Sequence, residues 1–354
     1  MEIKITKIKN PKEKPDVNNL VFGKTFTDHM FLMDYTLGRG WHDARIVPYG
    51  PLSLSPATTA LHYGVEIFEG LKVYRRPDGG VQMFRPRDNI CRMNDSAARL
   101  CMPLLDEDDA LQALDTLVSL DKSWVPSAPN TSLYIRPFMI AVDPNLGLHT
   151  PEHFLFSIIA SPVGSYYKEG LNPVSIMIEN EDVRAVRGGT GYAKCGGNYA
   201  AACRAAERAE KQGYSQVLWL DGVERKYIEE VGSMNVMFKI GGTVVTPKLT
   251  GSVLPGITRR SCIALMHDWG VPVEERLLSV GELAKAVENG TLEEAWGCGT
   301  AAVVSPIGTL AYEGKEYTVA GNRIGPFTQR LYDELTGIQW GTKPDPYGWA
   351  HPVK

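Results

Sequence analysis

The chain has 354 residues, 44% of them apolar and 22% charged, with a formal net charge of −4. That length suits two domains, and the balance is that of an ordinary globular protein rather than a basic nucleic-acid binder or a like-charged tail. No run approaches the roughly 18 apolar residues of a membrane span, and Cys91, Cys101, Cys195, Cys203, Cys262 and Cys298 form no C-x-x-C pair or histidine cluster, so free thiols in a reducing cytoplasm and no metal are expected.

In chain order, Met1–Lys9 alternates apolar and charged residues, predicting an exposed strand with no signal or transit segment. Val21–Leu37 holds strand-like runs broken at Gly23 and Asp34, and Pro77-Asp78-Gly79-Gly80 predicts a hairpin turn into Val81–Phe84. Arg87–Leu100 predicts a helix opened by Asp88, with Ile90, Met93, Ala97 and Leu100 on one face. Asp106–Leu120 predicts a second helix, and Ser132–Val142 and His153–Pro162 predict strands. The polar, turn-rich stretch from Gly164 opens a connection between domains. Beyond it, Gln216–Leu220, Tyr227–Glu229, Asn235–Ile240 and Thr243–Thr246 predict strands, and Asn198–Gln212 and Ile257–Trp269 predict helices ended by Gly213 and Gly270. Sheets with helices alongside are expected in a smaller domain at 1–167 and a larger one at 182–354, joined through 168–181.

One lysine stands out. Lys194 lies among Gly188, Gly189, Gly191, Gly196 and Gly197, just before a helical run. Glycine lets backbone come close to a ligand, and a lysine held partly out of water is a usable amine nucleophile. A Walker-type phosphate loop needs Gly-Lys-Ser/Thr, whereas Ala193 precedes this lysine and Cys195 follows it. Three further segments look built to grip something: Leu254–Arg260, a turn feeding a helix start; Gly297–Ala302, a glycine-bounded hydroxyl loop; and Glu230–Asn235, which puts a carboxylate between two strand-like stretches. Each is weak alone. Together they describe a ligand with an aldehyde for lysine, a phosphate for amide-rich loops and a basic nitrogen for a carboxylate, which is the inventory of pyridoxal phosphate.

The runs Tyr-Ala-Lys-Cys-Gly-Gly-Asn-Tyr at 192–199, Glu-Val-Gly-Ser-Met-Asn at 230–235, Leu-Pro-Gly-Ile-Thr-Arg at 254–259 and Gly-Cys-Gly-Thr-Ala at 297–301 resemble the successive motifs of branched-chain amino-acid aminotransferases. Val21–Met30, Leu61–Gly64, Phe68–Lys72, Phe84–Pro86 and Tyr134–Pro137 extend the resemblance over nearly the whole chain. It implies a mixed α/β, two-domain enzyme of fold type IV, with pyridoxal 5'-phosphate between the domains and a cytoplasmic homodimer. Lys194 would be the Schiff-base lysine and the acid–base, Glu230 the partner of the ring nitrogen, and Tyr199 that of the phenolic oxygen. Arg92, Ile257, Thr258 and Thr300 would meet the phosphate. Tyr63, Ser233 and Ala301 would surround the substrate carboxylate. Phe22, Phe68, Tyr134 and Tyr166 would wall an aliphatic pocket, with Leu148 from a second subunit. Arg136 would accept the side-chain carboxylate of glutamate.

Blander readings stand beside these. Lys194 could be a surface lysine at a helix start, Glu230 a buried partner of an arginine, Arg92 half of a surface pair, and the aromatics simply core. His149 and His153 read as loop residues rather than metal ligands, since Pro151 disfavours a shared helical face. D-amino-acid aminotransferases, (R)-selective amine transaminases and aminodeoxychorismate lyases share the cofactor. A phosphate-binding module without chemistry is the alternative from another class.

Overall fold

The computed structural model describes residues 1–164 and 171–353. Tyr166, expected in the aliphatic pocket, lies outside the described residues. The chain divides into two compact units: Met1–Tyr166 with Ala193–Gly196 and Gly337–Lys354, and Tyr167–Tyr192 with Gly197–Thr336. The short segment carrying Lys194 thus packs with the N-terminal half, which chain order does not reveal.

In the first unit the strands are β1 (Lys4–Ile5), β2 (His29–Thr36), β3 (Gly40–Pro48), β4 (Glu66–Phe68), β5 (Leu71–Arg75), β6 (Val81–Phe84), β7 (Ser132–Ala141) and β8 (His153–Val163). They form one sheet in the order β1-β3-β2-β8-β7-β5-β6, completed beyond β6 by the C-terminal strand Ala350–Val353, with β4 paired to β7. Helices α1 (Thr59–Tyr63), α2 (Pro86–Arg99) and α3 (Glu107–Leu120) accompany it. Asp106 caps α3 by accepting from the amides of Asp108 and Asp109, the arrangement that leaves fewest orphan donors at a helix start. One face of the sheet is apolar. Leu71, Val73, Leu133 and Ile135 meet Ile90, Met93 and Ala97 of α2 and Leu111, Leu114 and Leu117 of α3 in a single core. The alternate residues of the same strands, Lys72, Tyr134 and Arg136, necessarily occupy the other face.

The second unit is built on β9 (Val174–Ile178), β10 (Gln216–Leu220), β11 (Ile228–Val231), β12 (Asn235–Ile240), β13 (Thr243–Pro247), β14 (Val273–Arg276), β15 (Leu292–Gly299), β16 (Val303–Tyr312) and β17 (Lys315–Thr318). Their order is β11-β10-β9-β16-β15-β12-β13-β14, with β17 on β16. Pairing is mixed: β9 runs parallel to β10 and β16, and β15 is antiparallel to both its neighbours, β12 and β16. Helices α4 (Gly196–Ala200), α5 (Cys203–Lys211), α6 (Ile257–Asp268), α7 (Val280–Glu288) and α8 (Pro326–Trp340) complete the list among the described residues.

Several expectations are corrected. The N-terminal strand shrinks to β1, because only Lys4 and Ile5 find partners in β3. Strand β2 starts at His29 and runs through Asp34, absorbing it as a register irregularity against β3. The helix expected over Asn198–Gln212 is two helices, α4 and α5, separated by a turn at Ala201–Ala202. Glu230 lies within β11 rather than between strands, and His153 opens β8.

Candidate active site

Lys194 is held by its own backbone. Its amide donates to Ser96 Oγ at 2.9 Å, and the Ser96 hydroxyl donates to the Arg92 carbonyl at 3.0 Å. Its carbonyl accepts from the Phe68 amide at 3.0 Å, and Cys195 bridges to Ile67 of β4. The segment is therefore stitched to β4 on one side and to α2 on the other, a rigid mount for a half-buried side chain. The Lys194 ammonium nitrogen stands 4.8 Å from the centroid of the Phe68 ring.

Around that ring the first unit gathers several predicted residues. The Arg136 guanidinium carbon lies 4.7 Å from the Phe68 centroid, and Arg136 Nη2 donates to the Tyr134 hydroxyl at 3.1 Å. Phe22 meets Tyr134 edge-on, centroids 4.8 Å apart. Lys72 stands directly opposite Tyr134 in the antiparallel β5–β7 pair, which puts both side chains on this face. Lys72 is 7% exposed, and burial pushes its pKa down from 10.5 to about 7. An aromatic wall with cations set into it suits a ligand that is part apolar and part anionic.

Arg92 is buried on α2 rather than at the surface. Its Nε and Nη2 donate to the two carboxylate oxygens of Glu69 at 2.8 and 2.9 Å, a bidentate fork. Asn89 Nδ2 and the Gly70 amide also donate to Glu69. Burial pushes the Glu69 pKa up, but Arg92, Lys194 and these hydrogen bonds outweigh it and hold the carboxyl below its usual range. Sequence reasoning missed Glu69, Ser96 and Lys72. Glu69 and Arg92 are 23 residues apart, and no local pattern announces the pair.

Tyr63 ends α1, and Leu148 lies in the loop after β7. Tyr63 is 42% exposed, with its hydroxyl donating to the Leu146 carbonyl, and Leu148 is 80% exposed. With Leu61 and Leu146 they leave an uncovered apolar area on α1 and the 144–149 loop. His149 and His153 both turn towards Asp143.

In the second unit Glu230 is buried, with Arg184 Nε 3.1 Å from Oε2 and the Leu254 amide donating to Oε1 at 2.6 Å. An arginine pair was the blander expectation, and it is present. Yet Glu230 does more than neutralise Arg184. Asn235 Nδ2 donates to the Leu254 carbonyl at 2.9 Å, and a Cβ on Gly256 would stand 1.9 Å from Asn235 Oδ1. Glu230 and Asn235 therefore clamp both backbone groups of Leu254 and fix the start of α6. No side chain caps that helix and no acid lies in its first turn, where Ile257 and Thr258 are buried. Its free amides and dipole suit an anion. Thr300 and Ala301 form the β15–β16 turn, closed by Val303 at φ +62°, a strained value for a β-branched residue. Ser233 lies exposed in the turn after β11, and Tyr199 lies half-buried on α4.

Among the glycines beside Lys194, Gly191 answers to backbone, since a Cβ there would stand 2.3 Å from the Ser252 carbonyl, while one on Gly196 would stand 1.8 Å from Glu66 Oε1, the end of a side chain that can shift. Gly197 meets nothing within 4 Å.

The family model for amino-transferase class IV matches residues 66–310. Branched-chain-amino-acid aminotransferase 2 of Bacillus subtilis is 52% identical over 353 residues, covering 100% of this chain and 97% of that protein. The chain belongs to the branched-chain aminotransferases of class IV. Among solved structures, the branched-chain amino acid aminotransferase of Escherichia coli is similar at a TM-score of 0.77 and 28% identity, covering 91% of this chain and 99% of that one. The Thermus thermophilus branched-chain amino acid aminotransferase with pyridoxamine 5'-phosphate aligns at a TM-score of 0.75 and 25% identity, covering 91% and 98%. The fold is therefore fold type IV and the enzyme a transferase whose cofactor is pyridoxal phosphate. Within each unit the donors suit that group: the second unit holds a buried carboxylate and an uncapped helix start without acids, and the first holds a rigidly mounted lysine. Among the described residues no helix is long and apolar enough to cross a membrane.

Proposed function

We propose that the chain exchanges amino groups between L-leucine, L-isoleucine or L-valine and 2-oxoglutarate, reversibly and in two alternating stages. The observation that carries this is the Phe68 ring flanked by Lys194 on one side and Arg136 on the other, 4.8 and 4.7 Å from its centroid. An aliphatic side chain finds an aromatic wall there. A glutamate side chain finds the Arg136–Tyr134 edge, so neither substrate leaves a charge unpaired.

When bound, pyridoxal phosphate supplies an aldehyde that takes up the amino group and a ring that withdraws electrons from the substrate's α-carbon. Lys194 would act first as base towards the proton on that carbon and then, protonated, as acid. Its backbone bonds to Ser96 and Phe68 hold the amine in reach of a single position. Glu230 would hold the ring nitrogen, Tyr199 the phenolic oxygen, and Arg92, Ile257, Thr258 and Thr300 the phosphate. Tyr63, Ser233 and the Ala301 amide receive the substrate carboxylate. Phe22, Phe68, Tyr134 and Tyr166 exclude water from the aliphatic group, with Leu148 contributed by a partner subunit. The uncovered leucines around Leu148 support a homodimer, since such a patch seldom stays bare in water. A cytoplasmic location accords with the six unpaired thiols.

A panel of L-leucine, D-alanine and an aryl amine against 2-oxoglutarate tests the reading. L-Leucine should be the efficient donor. Faster turnover of D-alanine or the amine would replace it with one of the sister activities, and a colourless, inactive protein would overturn the enzyme reading.

A further inference from the structure

Glu66 sits on β4 two residues before Phe68, opposite Ile140 of β7, so it projects from the same face as Phe68, Tyr134 and Arg136. Its carboxylate lies against the Lys194 segment so closely that a Cβ on Gly196 would stand 1.8 Å from Oε1, and Glu66 would have to move to admit it. Burial pushes the Glu66 pKa up, while the charge of Arg136 pulls it back down. The two groups thus share one electrostatic environment. Arg136 Nε is itself buried with no hydrogen-bond partner among the described residues. Near Phe68 this face carries the cations Arg136 and Lys194, with Glu66 projecting beside them.

We infer that Glu66 is a specificity-determining residue, a built-in countercharge that competes with the substrate's distal carboxylate for Arg136. The inference rests on the transamination reading above. With an aliphatic side chain in place, Glu66 offsets the Arg136 charge that would otherwise face a desolvated apolar group. With glutamate or 2-oxoglutarate in place, Glu66 repels the incoming carboxylate and limits how tightly it is held. One pocket can then release both kinds of substrate, because neither binds far more tightly than the other. Gly196 is the sequence's concession to this placement, since any side chain there would displace the carboxylate.

The test uses the holoenzyme in separate half-reactions with L-leucine and with L-glutamate, followed by the change in cofactor absorbance. E66Q keeps the shape and removes the charge. It should tighten apparent binding of L-glutamate about tenfold, the scale of removing one like charge near an ion-pair site, while binding of L-leucine stays the same or weakens. E66D, which retains the charge, should behave as wild type. In an R136Q background the effect of E66Q should vanish. Unchanged or weaker glutamate binding in E66Q overturns the inference, as does an E66D variant shifted as far as E66Q, or an effect that survives R136Q. If the wild-type enzyme fails with both amino acids, it is the transamination reading that falls.

Discussion

The two faces of the first unit's sheet are made by the same strands and could hardly differ more. Towards α2 and α3, Leu71, Val73, Leu133 and Ile135 join a continuous apolar core, with the Glu69–Arg92 ion pair buried at its edge. On the opposite face the intervening residues, Lys72, Tyr134 and Arg136, collect around Phe68 with Lys194 and Glu66. A period of two puts stability on one side of the sheet and chemistry on the other. The other side sets the Arg136 and Lys194 charges against the Phe68 ring, a desolvation that an anionic ligand offsets.

The contrast can be broken from the helix side first. Replacing Glu69 with Gln leaves the Arg92 guanidinium buried without its countercharge, which should cost about 3–5 kcal/mol of stability in denaturant unfolding. A loss under about 1 kcal/mol would mean that Arg92 finds another partner. Leu133→Ala should cost about 2–5 kcal/mol by leaving a cavity in the core, while catalytic constants of the folded fraction hold. A loss of activity per folded molecule would show that the two faces are not independent.

The opposite face gives a pH-dependent effect, smaller when read over a single pH unit. Lys72 has a folded pKa of about 7 against an ordinary 10.5. Between those values the unfolded chain binds more protons, so stability rises with pH. The cost of burying the charged lysine is complete below pH 7 and gone above 10.5. Within the window Lys72 adds a slope of about 1.4 kcal/mol per pH unit. In Lys72→Met that slope should disappear, so the variant's advantage over wild type shrinks as pH rises. Parallel pH profiles for the two proteins would contradict the buried, depressed lysine.

Much of this was legible in the sequence where local chemistry decides structure. Asp106 announced α3, Asp78-Gly79-Gly80 announced the β5–β6 hairpin, and the glycine-bedded Lys194 marked the lysine. Other features were hidden for physical reasons. The alternation Leu71-Lys72-Val73-Tyr74 reads as half-exposed, yet both faces of β5 are buried. Strands β15 and β16 are buried almost throughout and so carry no period at all. The alanine run at 200–202 has the highest helix propensity available and still breaks, because tertiary context overrides propensity. Glu66–Arg136 and Glu69–Arg92 join residues that only the folded sheet brings together.

The central claim is that the rigidly mounted lysine is the reactive one. Lys72 is a second buried lysine of the same unit, and Lys194 is the one whose backbone is fastened to Ser96 and Phe68. Borohydride reduction of the holoenzyme, followed by digestion and mass spectrometry, decides between them. The expected result is a reduced cofactor mass on the peptide containing Lys194 and none on that containing Lys72. The label on Lys72, or on neither lysine, would contradict the account.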